Sequence, residues 1–429
     1  MNDFHLPLIY NLFPRLVRVE DWATHAAHAA SLKFNWLYLN PITCPGQSKS
    51  LYSTKDYYRL NPAFVPSGDG DDALEVLKPT IGNITDQGIH TMIDLVINHV
   101  AIDSPLLYEH PQWFHCEGDG SVRHPCTVHP DDPSKKTVWL DLAEVNNQDS
   151  SERASLWAFW GQLVTHYLDL GFEGFRCDAA YQVPADLWRY LMDVANQKNP
   201  KVIFWAENLG CTVLQTRALR LAGFQFFCNS SKWWNFDDGW CLDQHREFED
   251  LNSVSFPETH DTNRLAYDTG ASEALQRLRY AFAAVFSAGL MMPIGYEYGF
   301  RKRLDVVATQ PSDWEEPLYD LCDFITAVNM LKRKHPLLHG EGSFRRVPIY
   351  QTDLLVLERT TVHAPNQIGW VIVNKHAHHP QYFLLSQISE EVQQVQLFDV
   401  TRCEVNFGGQ PCPQEVEVPP SAVLLLVSC

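Results

Sequence analysis

The stretch GFEGFRCDAA, residues 171–180, is an apolar run that ends on two charged side chains, Arg176 and Asp178. Three more runs end on charged or imidazole side chains: TMIDLVINH at 91–99, VIFWAEN at 202–208 and SVSFPETHD at 253–261. Strands that are covered by helices read as nearly continuous apolar runs. A carboxylate at the end of such a run costs folding energy unless other groups compensate for its desolvation. The repeated pattern therefore predicts parallel strands whose ends converge on one cavity, as in an α/β barrel.

The remainder of residues 1–338 extends this pattern. Four further candidate strands are LIYNLFPRL at 8–16, FNWLYLNPI at 34–42, GFQFFCN at 223–229 and GLMMPIGYEYG at 289–299. Apolar residues at helical spacing separate several of them, most clearly over 156–167, 275–286 and 321–331. Asp149 and Glu152 resemble a capping box before the first of these helices. Eight strand–helix alternations predict an α/β fold, a (β/α)₈ TIM barrel.

Two regions depart from the alternation. Residues 101–150 are rich in His, Pro, Asp and Gly, which is typical of a functional excursion or a small inserted subdomain. From about residue 340, short β-like runs such as LLVLERT (354–360) and AVLLLVSC (422–429) follow one another without helices. We therefore predict a catalytic barrel over 1–100 and 151–338, an inserted subdomain over 101–150 after strand 3, and a C-terminal antiparallel β-sandwich over 339–429.

The composition narrows the class of protein. The chain has 429 residues, is 45% hydrophobic and carries a formal charge of −19. This charge disfavours nucleic acid and anionic membranes as partners, so a neutral substrate is expected. Neither a signal peptide nor a membrane span is apparent, and the eleven cysteines show no metal-binding spacing. Free thiols in a reducing cytoplasm are the expected state; the oligomeric state stays open.

The converging side chains suit the cleavage of an acetal. A retaining glycosidase uses two carboxyl groups about 5–5.5 Å apart, one as nucleophile and one as acid/base. Asp178 and Glu207 end consecutive predicted strands, so they could supply this pair. Arg176 would keep Asp178 ionised, whereas nearby carboxylates would raise the pKa of Glu207. These opposite shifts match the two roles.

The four segments resemble the signature regions of the α-amylase superfamily, family 13 of the glycoside hydrolases. The matching segments are DLVINH (94–99), GFRCD (174–178), WAEN (205–208) and FPETHD (256–261). Upstream, SLYSTKDYYRLNP at 50–62 resembles the loop of the family that carries a Tyr. The likeness covers nearly the whole chain, from the first strand to the terminal β domain.

The resemblance implies a retaining α-glycosyl mechanism in which three carboxylates have catalytic roles. Asp178 would be the nucleophile, Glu207 the acid/base, and Asp261 would bind sugar hydroxyls and stabilise the transition state. Four residues would bind substrate or support the site. Tyr52 would stack on the sugar, His99 and His260 would contact its hydroxyls, and Arg176 would support Asp178.

Other residues have weaker assignments. A structural role that supports Asn98 and the strand-end turn is expected for Asp94. Calcium stays open, because the resemblance implies Asn98 and Asp141 as ligands but supplies no complete set; no cofactor is required. For the tryptophans of KWWNFDDGW, sugar stacking and core packing are equally expected (Trp233, Trp234, Trp240). The strand-end residues Glu258, Tyr296 and Glu297 are expected to hold loops.

The sequence departs from the family at two places that matter for specificity. Tyr181 and Gln182 stand where many relatives have Lys-His after the nucleophile, and Thr259 replaces a frequent Asn. These changes leave the catalytic carboxylates in place but put leaving-group and acceptor preferences in doubt. The first hypothesis is an α-amylase-like hydrolase of α-1,4-glucans or malto-oligosaccharides. The alternative is an α-glucan glucosyl- or maltosyltransferase, including one that uses a glycosyl phosphate; a remote third is an inactive sugar-binding barrel.

Overall fold

Eight parallel strands form a closed barrel at the centre of the molecule. The computed structural model describes residues 6–65, 73–129, 132–248, 250–388, 394–402 and 409–428. The barrel strands are β1 (Leu8–Leu12), β2 (Trp36–Leu39), β3 (His90–Leu95), β4 (Gly174–Cys177), β5 (Ile203–Ala206), β6 (Phe226–Cys228), β7 (Ser253–Ser255) and β8 (Gly289–Pro293). They follow chain order around the barrel, and β8 pairs with β1 to close it. Each strand overlaps one of the eight predicted runs, so the predicted barrel is confirmed.

One helix of eight or more described residues follows each barrel strand. These helices are α1 (Trp22–Ser31), α2 (Lys78–Thr85), α3 (Arg153–Leu170), α4 (Ala185–Lys198), α5 (Val213–Ala222), α6 (Trp240–Glu247), α7 (Glu273–Phe286) and α8 (Cys322–Lys334). The three predicted helical faces lie on α3, α7 and α8. The predicted capping box is wrong, because Glu152 is the N-cap of α3 and its side chain makes no capping hydrogen bond. Ser150 Oγ accepts a hydrogen bond from the Glu152 N–H instead.

Large side chains fill the inside of the barrel. Trp36, Met92, Trp205 and Phe226 belong to one buried apolar cluster there. On β4, a Cβ at Gly174 would lie 2.9 Å from the Trp36 ring, so this position has room only for glycine. The packed interior leaves the ends of the strands as the place where a cleft can form.

Short elements form the loops around the barrel. One antiparallel pair, Cys126–His129 with Asp132–Val138, lies within the predicted inserted segment, and a second, His99–Ala101 with Leu142–Glu144, joins its beginning to its later part. A third pair, Thr43–Pro45 with Thr54–Leu60, follows β2. Short helical turns are Val19–Asp21, Pro62–Phe64, Leu74–Leu77, Leu106–Glu109, Pro111–Trp113, Ala180–Gln182, Ser230–Trp233, Leu265–Asp268, Tyr296–Tyr298, Pro311–Asp313, Pro336–Leu338 and Leu385–Gln387.

The C-terminal region forms two antiparallel sheets. Its strands are β9 (Ser343–Arg346), β10 (Leu354–Thr360), β11 (Gly369–Asn374), β12 (Gln381–Leu384), β13 (Val395–Asp399), β14 (Gln410–Pro411), β15 (Glu415–Val418) and β16 (Val423–Ser428). Six strands have the order β9-β10-β11-β16-β13-β14, and β12 pairs with β15. Side chains of both sheets, including Trp370 and Phe383, share one apolar cluster. The predicted C-terminal antiparallel β domain is confirmed.

Two further predictions concern the state of the cysteines and the absence of a membrane span. All nine cysteines within the described ranges are free thiols. No described helix combines the length and the apolar character that a membrane crossing requires.

Candidate active site

The register of two neighbouring strands brings Asp178 and Glu207 together. Cys177 on β4 pairs with Ala206 on β5. The ladder continues beyond the strands, because the Glu207 N–H donates to the Cys177 carbonyl at 3.0 Å. Asp178 and Glu207 therefore follow neighbouring strands at the same level of the barrel. Neighbouring strands are about 4.7–4.9 Å apart. This placement suits the short carboxyl separation of a retaining glycosidase.

Arg176 lies beneath the nucleophile candidate and joins two carboxylates. Its Nη1 donates to Asp178 Oδ1 at 2.8 Å and to both Asp94 oxygens at 2.9 and 2.8 Å. Only 7% of the Arg176 side chain is exposed, so water screens these contacts little. Asp94 Oδ2 also accepts hydrogen bonds from the Tyr38 and Tyr52 hydroxyls at 2.6 and 2.7 Å. The guanidinium is thereby fixed in place and in turn holds the Asp178 carboxyl group.

Glu207 has an environment that favours its protonated form. Burial, followed by the negative charge of Asp178, raises the pKa of Glu207 to about 7, although Arg176 opposes this shift. Two backbone N–H groups fix its oxygens: Leu209 donates to Oε1 at 2.7 Å and Ala179 to Oε2 at 3.1 Å. Near neutral pH a substantial fraction is therefore protonated and able to donate a proton.

The Ala179 N–H reaches Glu207 because the backbone after the nucleophile turns sharply. Ala179 has φ +40° and ψ +46°, a left-handed conformation that costs a residue with a Cβ of the order of 1 kcal/mol or more. A short helical turn, Ala180–Gln182, follows immediately. The strained residue thus follows Asp178 directly, and its N–H donates to Glu207.

The neighbours of Asp261 favour its ionised form. Desolvation by the cleft walls would raise its pKa, but His260, followed by Arg176 and Arg303, lowers it well below the ordinary value. His260 Nε2 lies 3.1 Å from Asp261 Oδ2 and 2.7 Å from the Tyr52 hydroxyl oxygen. Asp261 itself is open to solvent, with 64% of its side chain exposed. An anionic group at this place can accept hydrogen bonds from sugar hydroxyls.

Each of the two histidines uses one ring nitrogen, Nε2, for a hydrogen bond to Tyr52. The Tyr52 hydroxyl proton is directed to Asp94, so Nε2 of His260 is the donor to Tyr52, and the two rings stack at 7° with centroids 5.8 Å apart. His99 Nε2 donates to the Tyr52 carbonyl oxygen at 3.0 Å. Burial lowers the pKa of His99, so its imidazole is neutral near pH 7. Both rings help to position Tyr52.

A cleft of about 350 Å³ opens above these groups. Five of the seven predicted site residues line it: Tyr52, His99, Asp178, Glu207 and Asp261. The other two lie behind the cleft wall, Arg176 bound to Asp178 and His260 bound to Tyr52 and Asp261. The structure therefore places all seven in one contiguous network.

The sequence interpretation missed one aromatic residue of the cleft and left three other tryptophans open between sugar stacking and core packing. Trp139, which comes directly after the strand Asp132–Val138 of the inserted segment, lines the cleft. Trp234 is fully buried in the core, whereas Trp233 and Trp240 are exposed and do not line the cleft. A single Trp in a segment without helical or strand periodicity does not indicate where its side chain lies. Its position close before Asp141, which also lines the cleft, indicated that Trp139 could lie there.

Calcium stays a prediction, because the described residues supply no complete set of ligands for it. Asn98 Nδ2 donates directly to Gln182 Oε1 at 3.1 Å, and so connects the end of β3 to the loop after β4. In the inserted segment, Arg123 lies 3.9 Å from Glu144 and already supplies a positive charge. The described part of the chain holds no cluster of three or more His, Cys, Asp or Glu side chains suited to a metal. Calcium takes six to eight oxygen ligands, so we derive no step through it.

Two polar residues at strand ends hold loops, as the sequence interpretation expected. Glu258 accepts hydrogen bonds from Arg264 Nη1 at 2.8 Å and from the Leu265 N–H at 2.6 Å. Glu297 accepts from the Tyr10 hydroxyl at 2.6 Å and from the Gly295 N–H at 2.9 Å. Neither carboxylate lines the cleft.

Asp94 has a structural role, but not the predicted one. It holds Arg176 and Tyr52 rather than Asn98. Its removal would therefore affect the groups that orient the nucleophile.

Known proteins resemble this chain in sequence and in fold. Residues 12–117 match the family described as glycogen debranching enzyme, glucanotransferase domain. An α-1,4-glucan:maltose-1-phosphate maltosyltransferase of Burkholderia pseudomallei is 25% identical over 390 residues, which cover 87% of this chain and 33% of the relative. The enzyme of the same description from Myxococcus xanthus is 26% identical over 376 residues, covering 78% and 54%. The chain thus spans about a third to a half of the length of these two relatives.

An α-amylase from Lactobacillus plantarum has the same fold, with a TM-score of 0.77, 18% identity and coverage of 100% of both chains. Its likeness extends through the barrel and the C-terminal β domain. The ordered signature segments, the matching glucanotransferase domain and the sequence relatives support the α-amylase superfamily, family 13 of the glycoside hydrolases, and the fold agrees with it.

Proposed function

We propose that this protein is a retaining α-glucan transglycosylase, which transfers a glucosyl or maltosyl unit to an acceptor sugar. The paired placement of Asp178 and Glu207 on β4 and β5 carries the retaining chemistry. The relatives named as maltosyltransferases and the matching glucanotransferase domain support transfer over the hydrolysis favoured by the sequence interpretation. The α-amylase neighbours support the fold alone.

The first half-reaction forms a covalent intermediate. Asp178, held in position by Arg176, attacks the anomeric carbon of the donor and forms a new C–O bond. The bond from that carbon to the leaving oxygen breaks, and Glu207 gives this oxygen its proton. Asp261, ionised and open to the cleft, accepts hydrogen bonds from sugar hydroxyls and stabilises positive charge at the ring.

The second half-reaction releases the sugar from Asp178. An acceptor hydroxyl attacks the anomeric carbon while Glu207, now ionised, takes the hydroxyl proton. The electron pair of the ester C–O bond returns to Asp178, which restores both carboxyl groups. Water can replace the acceptor, so transfer and hydrolysis differ only in the group that enters at this step.

The donor is proposed as an α-1,4-glucan, a malto-oligosaccharide or a glycosyl phosphate. The names of the relatives include both α-1,4-glucan and maltose-1-phosphate, which motivates testing both donor classes. Cytoplasmic location fits such substrates and the free thiols, and stays part of the proposal.

The test is a product profile. The purified chain is incubated with maltoheptaose alone, with maltose as acceptor, and with inorganic phosphate, and the products are separated by length. Transfer predicts chains longer than seven units or a glycosyl phosphate. Only glucose and shorter oligosaccharides, in all three mixtures, would instead establish a hydrolase. Products are expected to vanish in Asp178→Asn, which serves as the blank.

A further inference from the structure

A second cavity, of about 260 Å³, lies at the same end of the barrel as the active-site cleft. The segments that follow β1 and β8 form it, and the carboxyl ends of all barrel strands meet at that end. The segment after β8 also contributes Val306 to the wall of the cleft. Arg15, in the segment after β1, donates to the Val306 carbonyl at 2.8 Å, which joins the two segments beside the cleft. The proposed mechanism gives this cavity no role.

An exposed tryptophan forms one side of this cavity. Trp314 is 41% exposed, yet its ring is held by aromatic neighbours. Phe300 meets it edge-on with ring centroids 5.0 Å apart, and the Tyr298 ring lies 6.3 Å away. The His25 imidazole lies 5.6 Å from the same ring. A ring that is already fixed loses little conformational freedom when a ligand binds, and its apolar face suits the face of a pyranose.

Three polar side chains that line the cavity have unused hydrogen-bonding groups. Among the described residues, the side chains of Arg18, Asp21 and His25 make no hydrogen bond and no ion pair. Burial lowers the pKa of His25, so its imidazole is neutral near pH 7. Arg18 thus supplies donors, Asp21 supplies acceptors, and the neutral imidazole supplies one of each. This set matches sugar hydroxyl groups, each of which both donates and accepts.

The charge and the size of the cavity favour part of a neutral chain as its ligand. One guanidinium and one carboxylate leave its lining without net charge, because His25 is neutral. A charged ligand would meet the like charge of one of these two groups, whereas a neutral polyol can bind to both. The cavity is also smaller than the roughly 300–1,000 Å³ pockets that enclose a drug-sized molecule, so it suits one or two units of a longer sugar chain.

We propose that this cavity is a second binding site for α-glucan chains, separate from the catalytic cleft. Trp314 stacks on one glucose unit, and the three polar side chains bind its hydroxyl groups. A long chain held here keeps its other parts at a high local concentration near the cleft on the same face, whereas a donor of two units can occupy only one site at a time. The site therefore favours polymeric donors. This inference rests on the proposed function, because it takes an α-glucan as the substrate.

The experiment measures binding to a polymer without turnover. Asp178→Asn protein is run through native gels that contain increasing glycogen, and its retardation gives an apparent Kd. Adding Trp314→Ala or Arg18→Ala to this protein is expected to raise the apparent Kd about tenfold, because only the cleft then holds the polymer. Trp240→Ala is the matched control, since Trp240 is 38% exposed and lines neither cavity, and it should leave the Kd unchanged. Fluoride release from α-maltosyl fluoride, with Asp178 intact, reports on the cleft in each variant.

The outcomes separate this inference from the function on which it rests. If Trp314→Ala and Arg18→Ala bind glycogen within twofold of their parent, or if glycogen does not retard the parent, the inference is wrong and the product profile with maltoheptaose still decides the function. A loss of fluoride release as large as the loss of binding would place the effect in the cleft and also overturn the inference. Binding that depends on Trp314, without transfer products, would reject the proposed function and keep the second site. Thermal unfolding verifies each fold, and the exposed Arg18 decides the question if Trp314→Ala fails to fold.

Discussion

The two principal carboxyl groups of this site, Asp178 and Glu207, differ in the groups that their oxygens contact. Arg176 contacts Asp178 at 2.8 Å, whereas Glu207 meets only backbone N–H groups and a burial that raises its pKa to about 7. The proposed division between nucleophile and acid therefore follows from which carboxyl group the guanidinium contacts. The first two predictions test this at the level of the residue.

The pH dependence should reveal the proton of Glu207. With a glucan donor, turnover is expected to fall as the pH rises through about 7, by about tenfold per pH unit above the pKa, because the leaving oxygen needs a proton. Fluoride leaves without that proton, so α-maltosyl fluoride should show no such fall in the first step. Initial rates from pH 5 to 9 with both donors measure this. A basic limb that is the same for both donors would contradict the assignment of the acid.

Replacement of Glu207 by Gln should lower activity and raise stability. Loss of the acid is expected to reduce turnover of a glucan donor by about 10²–10⁴. The folded-state pKa is raised, so the stabilising contribution of Glu207 is present at low pH and is lost as the pH rises through about 7. Gln has no charge to bury, and Glu207→Gln should therefore melt above wild-type protein at pH 8 and near it at pH 5.

The exposed Glu109 provides the control for that comparison. Glu109→Gln should keep wild-type activity and show no difference in melting temperature that depends on pH. If Glu207→Gln melts below wild-type protein at pH 8, the cost of burying the ionised carboxyl group is smaller than its hydrogen bonds, and the raised pKa is wrong.

At the level of elements, the sequence was informative where burial imposes a pattern. All eight barrel strands were predictable because strands covered by helices must be apolar on both faces, and the charged ends mark where they stop. The position of Trp139 was not predictable, since it follows an exposed hairpin strand whose place depends on tertiary contacts. Trp234 illustrates the converse: its local sequence is identical in kind to that of Trp233, yet only tertiary packing buries it.

The direct contacts around the inserted segment predict that the fold does not need calcium. Asn98 bonds to Gln182, and Arg123 donates to His115 at 3.0 Å beside Glu144. Removal of divalent ions with EDTA is therefore expected to change the melting temperature by less than about 2 °C, and added calcium by no more. Differential scanning calorimetry with and without chelator measures this. A loss of 5 °C or more in EDTA that calcium restores would show that the segment holds a metal.

Asn98→Ala should have the larger effect on the same element. It removes the amide that connects β3 to the loop after β4, at a cost of about 1–2 kcal/mol. Differential scanning calorimetry of Asn98→Ala beside wild-type protein measures this loss.

At the scale of the whole molecule, two buried basic side chains meet at the end of α7, where the barrel touches the C-terminal domain. Lys332 on α8 donates to the carbonyl oxygens of Ala284 and Ser287 at 2.8 and 2.6 Å, at the C-terminal end of α7. Arg359 on β10 reaches the carbonyl of Phe286, the last residue of α7, at 3.1 Å. Cations are favoured at this end of a helix, where unpaired carbonyls collect. One helix end of the barrel thereby binds one strand of the β domain.

Loss of Arg359 should destabilise both the barrel and the C-terminal domain. Its side chain is fully buried and also donates to the carbonyls of Leu337, Gly340 and Glu341 at 2.9, 2.8 and 2.8 Å. Arg359→Met would leave these buried acceptors without a donor, so the free energy of unfolding should fall by about 3–5 kcal/mol. Arg345→Met is the matched control on the neighbouring strand, because Arg345 is 66% exposed and pairs only with Glu358, at a cost below about 1 kcal/mol. Urea unfolding, monitored by tryptophan fluorescence, compares the Arg359→Met and Arg345→Met variants. Equal unfolding midpoints would mean that the domains are held together by their apolar contacts alone.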